Sequence, residues 1–192
     1  MQAKIQQQYS NYVHEYAVWT ASRAVQRGFV DTALLRQVLE AVNLRLKIAQ
    51  LKNSQLSSAA FDDWHMKTSK KLIQKARILF KKESFMVKAR IVSSMPEMTY
   101  GRAAKLIAIY IKTCETISFP ISALGEFAHP PIDRKLLMAL RGRFSDEFMG
   151  TCYEPWTQFN KKSYFETIAV LRQIQKREEM RYFWMIEKYC EA

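Results

Sequence analysis

Glycine and proline are scarce, five of each in 192 residues, so the chain lacks most of the turns an all-β fold needs and should be rich in helix. Cysteine is scarcer. Cys114, Cys152 and Cys190 are odd in number and have no CxxC spacing, which excludes a disulfide framework and fits reduced thiols in a cytoplasm. Unbroken apolar runs are short, as at LIAIYI (106–111), far below the ~20 residues of a membrane span; no membrane partner is expected. The amino-terminal MQAKIQQQYS has no apolar h-region, so no secretory leader is expected. His14, His65 and His129 stand far apart without cysteines or carboxylates at ligand spacing, and a metal site is not expected. Phosphate-loop, dinucleotide and nucleophile-elbow motifs (GxxxxGKS/T, GxGxxG, GxSxG) are also missing, which removes most familiar enzyme classes.

Negative charge is in deficit too. Thirty lysines and arginines face 18 aspartates and glutamates, for a formal net charge of +12. Folding does not explain such an excess, because self-repulsion destabilises the compact state. A polyanionic partner is implied, nucleic acid first and an anionic membrane surface second, with plain solubility as the bland alternative. With 48% hydrophobic residues the chain can bury one substantial core, or two small lobes with a cleft between them.

The pattern of apolar residues predicts an all-α single domain. Residues 3–27 place Tyr12, Tyr16, Trp19, Arg23, Gln26 and Arg27 on one helical face, with Gly28 as the stop. Asp31 predicts an N-cap for a helix over 32–51, with an apolar stripe at Leu34, Leu35, Val38, Val42 and Leu46. Residues 52–63 read as a polar connection, 64–82 as a basic amphipathic helix, and 84–94 as an ambiguous, short helical stretch. Pro96 marks a turn before a helix of about 100–115. The segment 115–131 reads as a loop, and Pro130 and Pro131 suit the start of a helix over 131–141. Asn160 predicts the cap of one long helix running toward 190. Trp19, Trp64, Trp156 and Trp184 are expected mainly in the core, although such rings can also stack on bases.

Two stretches carry chemistry. On the helix after Pro96, Arg102, Lys105 and Lys112 share a face opposite Ala103, Leu106, Ile107 and Tyr110, so one side can pack while the other meets phosphate. Further along, Asp133 in HPPIDRKLLMAL (129–140) stands where a helix begins, a place where the macrodipole and free N–H groups complement a carboxylate. Arg23 and Arg27 on the first helix can hold phosphates, and Gln26 can read a base edge.

MPEMTYGRA (95–103) resembles the LPGVGPKTA hairpin of the helix-hairpin-helix DNA glycosylases, with Met95 and Pro96 at its leading Leu-Pro, Met98 at its Val and Ala103 at its closing Ala. KLIAIYI is similar to that family's second hairpin helix, and PIDRKLL to the segment that bears its catalytic aspartate, which places Asp133 in that role. Glu97 and Thr99 stand at the two hairpin glycines, and Gly101 stands at the Schiff-base lysine of bifunctional members. The long gap to Asp133 is similar to that of the archaeal 8-oxoguanine glycosylase branch, to which anti-phage glycosylases are related.

The resemblance implies a compact multi-helix glycosylase-like fold with a degenerate hairpin, acting on DNA in the cytoplasm as a monomer, without cofactor or metal. Asp133 would stabilise the oxocarbenium-like transition state of a flipped-out nucleotide. Product would be an intact abasic strand, and Lys105, one turn beyond Gly101, would be the one amine able to return to the sugar. Arg23, Arg27, Gly101, Arg102, Lys112 and Arg134 would touch DNA, and Trp19, Gln26, Trp64 and His65 would line the base pocket. A non-catalytic helical nucleic-acid-binding protein is the alternative.

Overall fold

The computed structural model describes residues 2–27, 29–53, 55–86, 97–117, 121–151 and 154–190, with backbone alone for 83–86. Gly28, Met95, Pro96, Cys152 and the part of 84–94 beyond Met86 lie outside the described residues. Among the described residues all regular structure is helical: α1 (Gln2–Gln26), α2 (Thr32–Val42), α3 (Leu44–Lys52), α4 (Ser58–Met86), α5 (Tyr100–Ile111), α6 (Ala123–Phe127), α7 (Arg134–Arg143) and α8 (Lys161–Arg177). A π-helical turn, Lys112–Thr116, extends α5, and two 3₁₀ segments, Trp156–Gln158 and Phe183–Tyr189, flank α8.

Two caps stand where the sequence places them. Asp31 Oδ1 accepts from the Leu34 N–H at 2.8 Å to start α2, and Asn160 forms a reciprocal capping box with Ser163 at α8.

Elsewhere the chain breaks sooner than its periodicity predicts. The helix expected over 32–51 is two helices, because Asn43 adopts φ 51°, ψ 56° between them. Asparagine tolerates this left-handed geometry better than most residues. The break turns Leu46 outward, to 53% exposure, while Leu44, Ile48 and Leu51 are buried. Likewise the helix expected toward 190 stops at Arg177, where Glu179 at φ 51° reverses the chain. The returning 3₁₀ segment can then bury Phe183 and Ile186. In the opposite sense, α4 begins at Ser58 inside the expected polar connection, capped by Ser57 Oγ on the Ala60 N–H at 3.1 Å and held by the fully buried Phe61. The expected loop 115–131 contains α6, capped by Ser122. Pro130 and Pro131 precede the N-cap of α7, which is Asp133 itself, so neither proline lies within the helix.

The buried side chains form two apolar clusters. One gathers α1 to α4 around Leu35, Val38, Phe61, Leu72, Leu106, Ile107 and Tyr110. The other gathers α7, α8 and the 3₁₀ segments around Leu136, Leu140, Phe144, Tyr164, Ile168, Leu171 and Phe183. Helix α5 serves both, sending Ala103, Leu106, Ile107 and Tyr110 into the first and Tyr100 and Ala104 into the second. Each large side chain so buried contributes roughly 1.5–3 kcal/mol of transfer free energy, so the shared helix is the strongest link between the clusters. Trp64 and Trp156 are half-buried and pack against the two clusters and Trp184 is half-buried, whereas Trp19 is 49% exposed, contrary to the core expectation for it.

Candidate functional site: an aspartate and a lysine in a basic cleft

Asp133 has two tasks. As N-cap of α7 its Oδ1 accepts from the Leu136 N–H at 3.0 Å, and its Oδ2 accepts from Lys105 Nζ at 3.3 Å. The Lys105 side chain keeps only 10% of its surface, the Asp133 side chain 32%. Burying an ammonium group is costly unless its charge is met. Here the carboxylate meets it on one side and the face of Trp156, with its ring centroid 4.5 Å away, on the other.

Around this pair the structure opens two adjoining hollows of about 290 and 310 Å³, both lined by Ala24, Lys105 and Asp133. They lie at the lower end of the roughly 300–1,000 Å³ of small-molecule sites. Arg27, Arg102, Arg134, Lys135 and Trp156 line the first side. Lys112, Glu187 and Cys190 line the second. Lys112 pairs with Glu187. Burial pushes the Glu187 carboxyl above its ordinary range, the Lys112 ammonium opposes that, and the nearby Asp133 charge adds to it.

The shared basic face of the helix after Pro96 therefore exists, and Arg102, Lys105 and Lys112 all border the cleft. Arg102 is held in place by its guanidinium over Phe29, 4.2 Å from the centroid, and by the Glu97 carbonyl at 3.0 Å. Just beyond the end of α1, Arg27 reaches the cleft and joins it to an open hollow lined by Arg23 and Gln26.

Other expected site residues are placed elsewhere. Gly101 is buried, its N–H donates to the Phe159 carbonyl at 3.1 Å, and an added Cβ would lie 1.9 Å from the Trp156 carbonyl oxygen. Its glycine permits α5 to dock on the 3₁₀ turn, and the N–H is not free to grip phosphate. Thr99, at a hairpin glycine position, caps α5 through the Arg102 N–H at 3.3 Å and donates to the Thr157 carbonyl at 2.7 Å. Trp64 packs on Phe61 and donates from Nε1 to the Lys47 carbonyl at 3.3 Å. His65 is 1% exposed, stacked on Tyr164. Neither borders the cleft. Trp156, Glu187 and Cys190 do, and no local pattern in the sequence marks them.

The histidines, far apart in sequence, are not all apart in space: the rings of His65 and His129 lie 4.7 Å from each other. They belong to a buried chain. Tyr100 Oη lies 3.2 Å from His65 Nδ1, His65 Nε2 lies 3.5 Å from Tyr164 Oη, and Tyr164 Oη lies 3.1 Å from His129 Nδ1. His129 Nε2 then meets Asp62 Oδ1 at 2.8 Å, and Arg172 donates to both Asp62 oxygens at 2.7 and 2.8 Å. With both imidazoles neutral, every group in the chain can donate one way, toward the carboxylate. Burial lowers the pKa of His129 and lowers that of His65 well below its ordinary value. At Asp62 burial pushes the pKa upward, but the hydrogen bonds from His129 and Arg172 outweigh it and hold the carboxyl well below the usual range.

Among the described residues no group of three or more histidine, cysteine or acidic side chains could hold a metal ion, and no helix is long and apolar enough to cross a membrane. No protein-family model, curated protein or solved structure matches the chain.

Proposed function

We propose that this chain is a DNA glycosylase that excises a modified base flipped into the cleft around Asp133. One observation carries the reading: a carboxylate fixed by a helix N-terminus and an amine 3.3 Å away share the floor of a cleft whose rim is arginine and lysine. Cleaving an N-glycosidic bond leaves positive charge on the sugar, and an anion already held beneath it stabilises that charge without reorganisation. The basic rim would hold the phosphates on either side. An oxidised purine and a modified phage base are the substrate classes that the glycosylase resemblance implies, and the same reading has the chain acting as a cytoplasmic monomer. Incubation with duplexes carrying assorted modified bases, scored for abasic sites, tests it; no excision from any of them excludes the reading and leaves the non-catalytic DNA-binding alternative.

Phosphate contacts release counterions, so raising salt from 50 to 200 mM should weaken DNA binding by about 10²-fold or more for a protein that contacts several phosphates. A flat response in fluorescence anisotropy would exclude both nucleic-acid readings.

The Lys105–Asp133 pair favours a second route for the strand. In the first, Asp133 directs water to the sugar and the product is an intact abasic strand. In the second, Lys105 as free amine attacks C1′ as the C1′–N bond breaks, Asp133 passes the first amine proton to the departing base and the second to O4′ as the ring C1′–O4′ bond opens, and the resulting imine can eliminate. Borohydride separates the two. A covalent protein–DNA adduct that disappears in Lys105→Ala establishes the amine route, and no adduct in the wild-type chain establishes water.

A further inference from the structure

Helix α1 buries side chains fully only in its second half. Ala17, Val18, Ala21, Ser22 and Val25 pack inward, while Tyr9, Tyr12, Tyr16 and Trp19 stand at alternating three- and four-residue steps on the outside, 59%, 72%, 52% and 49% exposed. An unbroken file of large rings left in water marks a place that something else covers.

The geometry points to an unpaired nucleic-acid strand as that occupant, with the four rings as a stacking platform that continues into the Asp133 cleft. Tyr16 and Trp19 already lie nearly parallel, 23° apart with centroids at 5.7 Å, and the Arg23 guanidinium sits 5.2 Å over Trp19. Arg27, one turn further, borders the cleft. From Tyr9 to Arg23 the file spans about 21 Å at the helical rise of 1.5 Å per residue, the length of roughly six nucleotides at 3.4 Å each. Charge agrees with shape. The only carboxylate on α1 is Glu15, and Arg36 holds it, so nothing on this face repels phosphate, and a row of rings with a cation at its end, Arg23 over Trp19, suits bases of any sequence. A second copy of the chain fits less well, because a seam of this spacing closes best with leucine and isoleucine, not tyrosine hydroxyls.

This inference rests on reading the partner as DNA and adds which form of DNA: one locally unpaired beside the flipped base. The test is the triple variant Tyr12→Ala, Tyr16→Ala, Trp19→Ala, with circular dichroism to check the fold, assayed against labelled dT20 and against a 20-base-pair duplex. Each lost ring should cost about tenfold in single-strand affinity. The triple variant should therefore lose about 10³-fold for dT20 while duplex affinity changes less than about threefold. Unchanged dT20 affinity overturns the inference. So does an equal loss for both nucleic acids, or a wild-type dimer in sedimentation that the triple variant dissociates. If excision from duplex proceeds while dT20 binding ignores the variant, this inference alone fails. If the wild-type chain binds neither oligonucleotide, the glycosylase reading fails with it.

Discussion

Asp133→Asn is expected, on the proposed glycosylase reading, to slow base release by about 10²–10³-fold while DNA affinity stays the same or rises. Asparagine caps a helix about as well as aspartate, so the bond to the Leu136 N–H survives and α7 keeps its start. What disappears is the charge. In the proposed reaction, transition-state stabilisation needs an anion under the sugar, whereas ground-state binding needs the phosphates held, and removing a negative group from the cleft would help the second. The same change takes from Lys105 the carboxylate 3.3 Å away, leaving no acceptor for its proton, so the amine route fails with the water route. Circular dichroism should match the wild type; abasic-site release at an undiminished rate would remove Asp133 from the chemistry. Lys105→Ala separates the routes, since it should spare release only if water is the nucleophile.

How much of this was legible depends on the range of the interaction. The all-α class follows from scarce glycine and proline and from 3.6-residue spacing, and both are local. The caps at Asp31 and Asn160 are also local, one residue bonding an N–H three positions on. The basic face of Arg102, Lys105 and Lys112 is readable because one helix sets it. Asn43 is harder, because the apolar pattern runs through it and only its left-handed backbone splits the helix. Tertiary neighbours are harder still. Lys105 and Asp133 are separated by 28 residues, and nothing near Trp156 says that it will roof the lysine. Gly101 looks like a phosphate contact because of where a hairpin would put it, but the carbonyl that excludes a side chain there belongs to Trp156. Trp19 misleads in the other direction: the habit of burying large rings is an average over proteins, and it fails on a helix whose buried face is filled by alanine, valine and serine.

The Asp62 network supplies the other large effect. Asp62→Ala should destabilise the fold by about 2–4 kcal/mol, because it leaves the Arg172 guanidinium and the His129 Nε2–H without the acceptor that both use in a region mostly closed to water. For a chain of this length that is a fall in melting temperature of roughly 6–12 °C. Acid should act on the same network. His65 and His129 have folded pKa values below 6.5, so as pH drops under about 6.5 the unfolded chain takes up protons that the folded chain refuses, and stability falls. Asp62, depressed in the fold, adds a second loss, but only below about pH 4, where the unfolded carboxyl begins to protonate. Melting temperature should therefore hold from pH 8 to 7, drop between pH 6.5 and 5 on the histidines, His14 among them, against a smaller opposing gain from the raised Glu187 carboxyl, and drop again below pH 4. His65→Gln should flatten the middle region. Its amide can still accept from Tyr100 and donate to Tyr164 but cannot take a proton there, and the variant should lose less between pH 7 and 5 than the wild type even if it melts lower at both. Equal wild-type melting temperatures at pH 7 and pH 5 would mean that the two imidazoles are not held neutral by burial.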